Sequence, residues 1–196
     1  KRQLVKKINL NSLYGAILNP GCRFFDRRIG QSVTLTGRCI TKHMASKVNE
    51  IVAGKYDHKG ESVVYGDTDS VYFTAQKTLQ KEINDGTIPW TKDSVVALYD
   101  RISDEVNGSF KSFMTKAFHT PSTRGEVIKA GRELVASKGL FITKKRYAVL
   151  YYDKEGKRTD VEGKEGKMKA MGLDLKRSDT PVFVQDFLSD LLYMVL

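Results

Sequence analysis

Val63-Val64-Tyr65-Gly66-Asp67-Thr68-Asp69-Ser70-Val71-Tyr72-Phe73-Thr74 is the stretch that decides how this chain is read. Its ends are β-branched and aromatic, side chains that suit a pleated, half-buried surface, and its middle holds Gly and Asp, which suit a tight turn. The pattern predicts a hairpin with strands at 62–65 and 70–74 and a four-residue turn, 66–69. Two carboxylates, Asp67 and Asp69, stand at its tip. Residues two apart on an extended strand share a side, so a positioned pair can hold a divalent metal. Taken alone, the same residues describe a solvated acidic turn equally well.

Working outward, 196 residues are enough for one substantial core, or one core with an appendage. Apolar residues make up 40% and charged residues 29%, the balance of an ordinary soluble globular chain. No run of ~18 apolar residues occurs, so no membrane-spanning helix is expected. The start, Lys1-Arg2-Gln3-Leu4-Val5-Lys6-Lys7, is basic with no apolar stretch behind it and reads as no signal peptide. It also lacks an initiator Met, and the expectation is a segment of something longer. Cys22 and Cys39, with only 3 His in the chain, form neither a zinc pattern nor a disulfide framework, so reduced, packed thiols are expected.

The net charge of +10 is unevenly spread. Residues 1–59 hold 12 Lys/Arg against 3 Asp/Glu, residues 60–137 hold 9 against 11, and residues 138–179 hold 12 against 7. Two basic zones therefore bracket an acidic centre that contains the hairpin. Basic zones suggest a polyanionic partner, and an acidic spot between them suggests a metal beside it. A solvated basic surface has the same composition.

Helical periodicity predicts a first helix over 1–18, with Leu4, Ile8, Leu10, Leu13 and Ile17 on its stripe and Asn19-Pro20-Gly21 as its stop. A second helix is expected from about Ser32 to Ala53, capped by Gly54. After a polar segment at 76–93, Asp93 or Ser94 is expected to cap a third helix that reaches about Phe118, with Val95, Ile102, Val106 and Phe110 inward. Strands are expected at 126–137 and 140–152, then a flexible basic loop at 163–167. A last apolar helix begins near 178–181.

Three constellations carry chemistry. Lys7, Asn11 and Tyr14 lie four and three apart, on one face of the first helix, and Gly15 leaves room for a close approach. A Lys ammonium and an Asn amide one turn apart suit phosphate oxygens. Lys144-Lys145-Arg146-Tyr147 is expected to start a strand, Lys144 and Arg146 on one side, Lys145 and Tyr147 on the other; such a cluster can hold nucleic-acid phosphates. The third is the Asp67/Asp69 turn itself. The commonplace readings of the first two are a solvated helix face and a charged edge strand.

Together these residues resemble a known family. Lys7-x-x-x-Asn11-Ser12-x-Tyr14-Gly15, Tyr65-Gly66-Asp67-Thr68-Asp69-Ser70 and Lys144-Lys145-Arg146-Tyr147 occur in the order of the fingers-helix, palm-carboxylate and primer-gripping motifs of family B DNA polymerases. Lys167-Met168-Lys169-x-Met171-Gly172 and Ser178-x-Thr180-Pro181 are similar to the palm-to-thumb junction of the T-even bacteriophage replicative type. The resemblance implies an α+β fold, a polymerase palm with an antiparallel sheet packed on helices, divided into the end of the fingers (1–19), palm (20–172) and the beginning of the thumb (173–196). It implies template-directed deoxynucleotidyl transfer to a primer 3′ end, with Mg²⁺ in a two-metal site.

By the same resemblance, Lys7 and Asn11 hold the incoming triphosphate, and Tyr14 and Gly15 pack against the nascent base pair. Asp69 binds the catalytic metals, and Asp67 is its less essential neighbour. Lys144, Lys145, Arg146 and Tyr147 hold the primer, Lys145 in the minor groove, with Lys167 also on DNA. Glu126 matches a further acid beside the metal. The implied partners are primer-template DNA, deoxynucleoside triphosphates, a missing polymerase portion as a separate chain and, through missing regions, a sliding clamp. The implied setting is the cytoplasm of a phage's bacterial host.

One element of the family pattern is absent: a second metal-binding aspartate, in a motif that lies upstream of the fingers helix. Two-metal transfer needs ligands bridging ions ~3.5–4 Å apart, so the fragment is expected to be inactive alone. Competing readings are a non-catalytic DNA-binding module, a subunit of a split polymerase, or another palm-type enzyme.

Overall fold

The computed structural model describes residues 2–161, 163 and 165–196, so Lys1 and the Lys164 of the expected basic loop lie outside the described residues. The fold is α+β, with antiparallel sheets and helices packed against them. Helix α1 spans Arg2–Leu18. Helix α2, Arg27–Ala53, starts earlier than the periodicity predicts, because the Asp26 carboxylate accepts from the backbone N–H groups of Arg28 and Ile29. Its expected end is observed: Gly54 sits in the left-handed region at φ 74, and its N–H donates to the Glu50 carbonyl.

Strands β1 (Val63–Asp67) and β2 (Ser70–Phe73) form the hairpin. The polar segment after it contains one short helix, α3 (Gln80–Asn84). Helix α4, Lys92–Phe118, is capped by Thr91 rather than by Asp93 or Ser94; Ser94 is the reciprocal partner, each hydroxyl answering the other residue's backbone N–H. Val48 of α2 and Ile102, Val106 and Phe110 of α4 form the main core, with Val63 and Phe73 of the hairpin against it. Each such fully buried side chain contributes roughly 1.5–3 kcal/mol.

Beyond the short helix α5 (Ser122–Gly125), the strand boundaries differ from those expected. Residues 126–133 are not a strand. Asn107 of α4 donates to the Ala130 carbonyl at 2.9 Å and accepts its N–H at 2.7 Å, so a helix side chain takes the backbone groups a ladder would use. Strand β3 runs Leu134–Thr143 and β4 Arg146–Lys154, antiparallel, with the break at Lys144-Lys145. Strand β4 is central: β3 covers one edge, and β5 (Lys157–Arg158) and β6 (Lys167–Met171) share the other. Lys167 therefore begins a strand, opposite Tyr151, rather than closing a loop. A short 3₁₀ turn, Asp174–Lys176, leads to α6 (Val182–Val195), whose Leu188 and Leu192 pack on Ala148, Ala170 and Leu175. Among the described residues no helix is long and apolar enough to cross a membrane.

Candidate active site

The hairpin turn is tighter than expected. Asp67 is still in β1, paired with Ser70, so only Thr68 and Asp69 form the connection. Thr68 adopts φ 51, its hydroxyl donates to the Asp67 carboxylate at 3.1 Å, and the Asp69 N–H donates to the Asp67 carbonyl at 2.6 Å. This turn breaks the alternation on which a shared side depended, and the two carboxylates serve different surroundings. Asp67 meets Lys145, with Oδ2 3.4 Å from Nζ. Burial pushes the Asp67 carboxyl up, but the Thr68 hydroxyl and the Lys145 and Lys144 ammonium groups outweigh it and hold it below the ordinary carboxylate range. Asp69 is exposed and lines a groove.

Lys144 and Lys145 occupy the β3–β4 turn rather than a strand, so strand alternation does not sort this cluster. Lys145 takes φ 62, and its N–H donates to the Tyr65 hydroxyl at 2.8 Å. Gly172, itself at φ 63, lies so close that a Cβ there would overlap the Lys145 carbonyl. Arg146 Nε donates to the Gly172 carbonyl at 3.2 Å. Beneath the turn, Tyr65, Tyr72, Phe141 and Tyr147 form an aromatic box with ring centroids 5.3–6.1 Å apart. The Tyr72 hydroxyl donates to that of Tyr147 at 3.3 Å, and burial pushes the Tyr72 phenol up. Tyr147, at 8% exposed, supports the two hairpins and does not offer its ring outward. Of the box only Tyr147 was read as a site residue; Tyr65, Tyr72, Phe141 and Gly172 were not, since what the sequence offered there was aromatic alternation within each hairpin.

Helix α1 carries Lys7, Asn11 and Tyr14 along one exposed face and packs on α2. The Tyr14 hydroxyl lies 3.3 Å from that of Thr34, and Gly30 of α2 receives the Leu18 side chain with no room for a Cβ. At Gly15 the space a Cβ would take is open, which suits a close approach by another molecule. Helix α2 also carries the hairpin, so it is the common frame of α1 and the carboxylate turn.

The groove beside Asp69 has a volume of ≈ 730 Å³ and is walled by β2, β3 and α4. Among the described residues β2 pairs with β1 and β3 with β4, each leaving one edge unpaired, and both strands line the groove. Glu133 lines the same groove and pairs with Lys169 at 2.7 Å, whereas Glu126 pairs with Lys111 of α4 and does not line it. Among the described residues no three His, Cys, Asp or Glu gather closely enough to hold a metal. Asp69 fits one carboxylate position of a divalent-metal site, and the set as a whole does not complete one.

The sequence model described as DNA polymerase family B matches residues 1–196. The chain is 33% identical over 205 residues to a DNA-directed DNA polymerase of Escherichia phage RB69, covering 99% of this chain and 22% of that protein. It is 31% identical over 207 residues to the DNA-directed DNA polymerase of Enterobacteria phage T4, with 99% and 22% covered. A DNA polymerase delta catalytic subunit of Oryza sativa subsp. japonica is 29% identical over 197 residues, covering 100% of this chain and 15% of that subunit. The chain thus spans about a fifth of the length of the phage relatives.

Proposed function

Because this chain belongs to DNA polymerase family B, we propose that it supplies the carboxylate turn, the primer-gripping turn and the triphosphate-holding helix of a template-directed DNA polymerase. On this reading residues 1–19 are the end of the fingers, 20–172 most of the palm, and 173–196 the start of the thumb. The observation that carries it is the direct contact between two motifs far apart in sequence: Tyr65 and Asp67 of the carboxylate hairpin hold the backbone and the ammonium of Lys145. A nucleotidyl-transfer site needs such a juxtaposition, since a primer end must be gripped within reach of the carboxylate that serves the reacting atoms.

In this reading the exposed Lys144, Lys145 and Arg146 bind the primer strand, mostly through phosphates, with Lys145 reaching its minor groove and Lys167 adding charge on β6. Tyr147 keeps their turn in place. Lys7 supplies charge and Asn11 a donor to the triphosphate, while Tyr14 and the open space at Gly15 face the nascent base pair. Asp69 offers its carboxylate to a divalent cation, which we take to be Mg²⁺; when bound, such a cation favours the deprotonated primer 3′-hydroxyl and neutralises charge on the leaving pyrophosphate. Asp67 acts on Lys145. The second carboxylate comes from another part of the polymerase, and the groove lined by β2 and β3 is where an extended segment fits.

Primer extension tests the reading. Residues 1–196 alone should not extend a primer at a useful rate. In the complete or reassembled enzyme, Asp69→Ala should lower kcat by about 10²- to 10³-fold, as loss of an essential electrostatic group does, and Asp67→Ala should cost far less. Equal, small effects of the two variants would sink the role assignment. An Asp69→Ala enzyme with all its activity would favour a non-catalytic DNA-binding module instead.

A further inference from the structure

The hairpin tip is held in a conformation it would not keep by itself. Thr68 is β-branched and sits at φ 51, where a branched side chain crowds its own backbone. Such strain persists only where the surroundings over-determine it. Three of the tip's hydrogen bonds are internal, from the Thr68 hydroxyl to the Asp67 carboxylate and from the Asp69 N–H and the Ser70 hydroxyl to the Asp67 carbonyl. From outside, the Lys145 ammonium meets the Asp67 carboxylate, and the Thr41 hydroxyl of α2 lies 2.9 Å from the Thr68 carbonyl.

We propose that Thr41 is a positioning residue for Asp69, a latch by which α2 fixes the carboxylate tip relative to the helix that also carries α1. The inference rests on the reading of Asp69 as the metal-holding carboxylate. The base of the hairpin is anchored to the same helix by buried Asn49, whose amide donates to the Asp57 carbonyl at 2.7 Å and whose oxygen accepts the Ser62 N–H at 3.0 Å. The two anchors differ in kind. If Asn49 let go, its polar atoms and those of its partners would be left without hydrogen bonds in the interior. Thr41 has a ready alternative, because its hydroxyl also lies 3.0 Å from the Gly37 carbonyl one turn back. A hydroxyl has one proton, which it can give to the helix when the tip leaves. Releasing the tip therefore strands no donor on α2, and the link sets position while adding little to global stability.

The test pairs Thr41→Val, which keeps the shape and removes the donor, with Thr41→Ser, which restores it. Hydrogen exchange at the Asp69 amide, read by NMR on the protein, should quicken by about 2- to 10-fold in T41V, the span expected for one neutral hydrogen bond. T41S should return it to within about twofold, and both should melt within about 2 °C of the parent. In primer extension by the assembled polymerase, T41V should lower kcat about tenfold with KM for the nucleotide nearly unchanged, as misplacement of a reacting group does. Unchanged Asp69 exchange in T41V, or failure of T41S to rescue, would overturn the proposal. The exchange readout needs no catalysis, so an Asp69→Ala enzyme that still extends primers would remove the functional reading and leave the latch result standing.

Discussion

Lys145 and Gly172 meet back to back, both in the left-handed region, at φ 62 and φ 63. For lysine that conformation costs roughly 1–2 kcal/mol, and the contacts around it explain why it is kept: Tyr65 takes the Lys145 N–H, Asp67 its ammonium, and Gly172 lies against its carbonyl. The ion pair is a small part of this, since Lys145 is 66% exposed and an exposed pair is worth about 0–1 kcal/mol. The glycine is the stricter requirement. Gly172→Ala adds a Cβ where φ disfavours one and where the Lys145 carbonyl already stands. It should destabilise the protein by about 2 kcal/mol or more, seen in calorimetry as a melting temperature lower by about 4–8 °C. On the proposed reading it should also weaken duplex binding, because the displaced turn carries Lys144 and leads into Arg146. A variant with parental stability and affinity would show that the turn accommodates a side chain and that its register is set elsewhere.

Between α2 and α4 the structure places a buried histidine. His43 is within 2.8 Å of the Tyr56 hydroxyl and 2.9 Å of the Ser109 hydroxyl, and its ring stacks on Phe113 with centroids 3.9 Å apart. Burial lowers its pKa, and Lys47 lowers it further, against a smaller opposite effect of Glu50. The folded state thus binds the proton less readily than the unfolded chain, whose histidine titrates near 6.5. Stability contributed by neutral His43 is present above that value and is lost as pH falls below it toward the lowered folded-state pKa. Urea midpoints at pH 7 and pH 5 should show a larger loss for the parent than for His43→Gln; equal losses would assign the acid sensitivity to other groups. Neither His43 nor Asn49 was legible as a structural residue, since a polar side chain on a half-apolar stripe reads as solvated until its partners are known. The long helices were legible because an apolar stripe sustained over several turns admits no other period. The break at Lys144-Lys145 was not: two lysines carry no turn chemistry, and the residues that bend the chain there are Tyr65 and Gly172, remote in sequence. The carboxylate pair was legible as residues but not as geometry, because a two-residue turn separates what strand alternation would have aligned.

Across the whole molecule, several acids of the central zone and of the segment that follows it are engaged in internal pairs. Arg132 bridges Asp100 and Asp153, Arg158 bridges Asp93 and Asp160, Lys92 also reaches Asp160, and Lys169 holds Glu133. The exposed pairs among them add little stability each, whereas Arg132–Asp153 is buried, and together they cancel charge on the α4 side of the protein. Exposed positive charge remains on α1 at Lys6 and Lys7, around the start of α2 at Arg23 and Arg27, and at the β3–β4 turn, among other positions. The net charge of +10 is carried by these exposed groups. On the proposed reading, binding to duplex DNA should weaken steeply with salt, because each neutralised phosphate releases about 0.9 counterion. Replacing Lys144 and Lys145 together with Gln should reduce the magnitude of the slope of log K against log salt by about 1–2, in fluorescence anisotropy over a salt series, and should do so alike for unrelated sequences. Replacing Lys92, which is committed to Asp160, should leave that slope unchanged, and a slope altered equally by both changes would mean that charge as such, rather than the turn held by Tyr65 and Gly172, governs the contact with DNA.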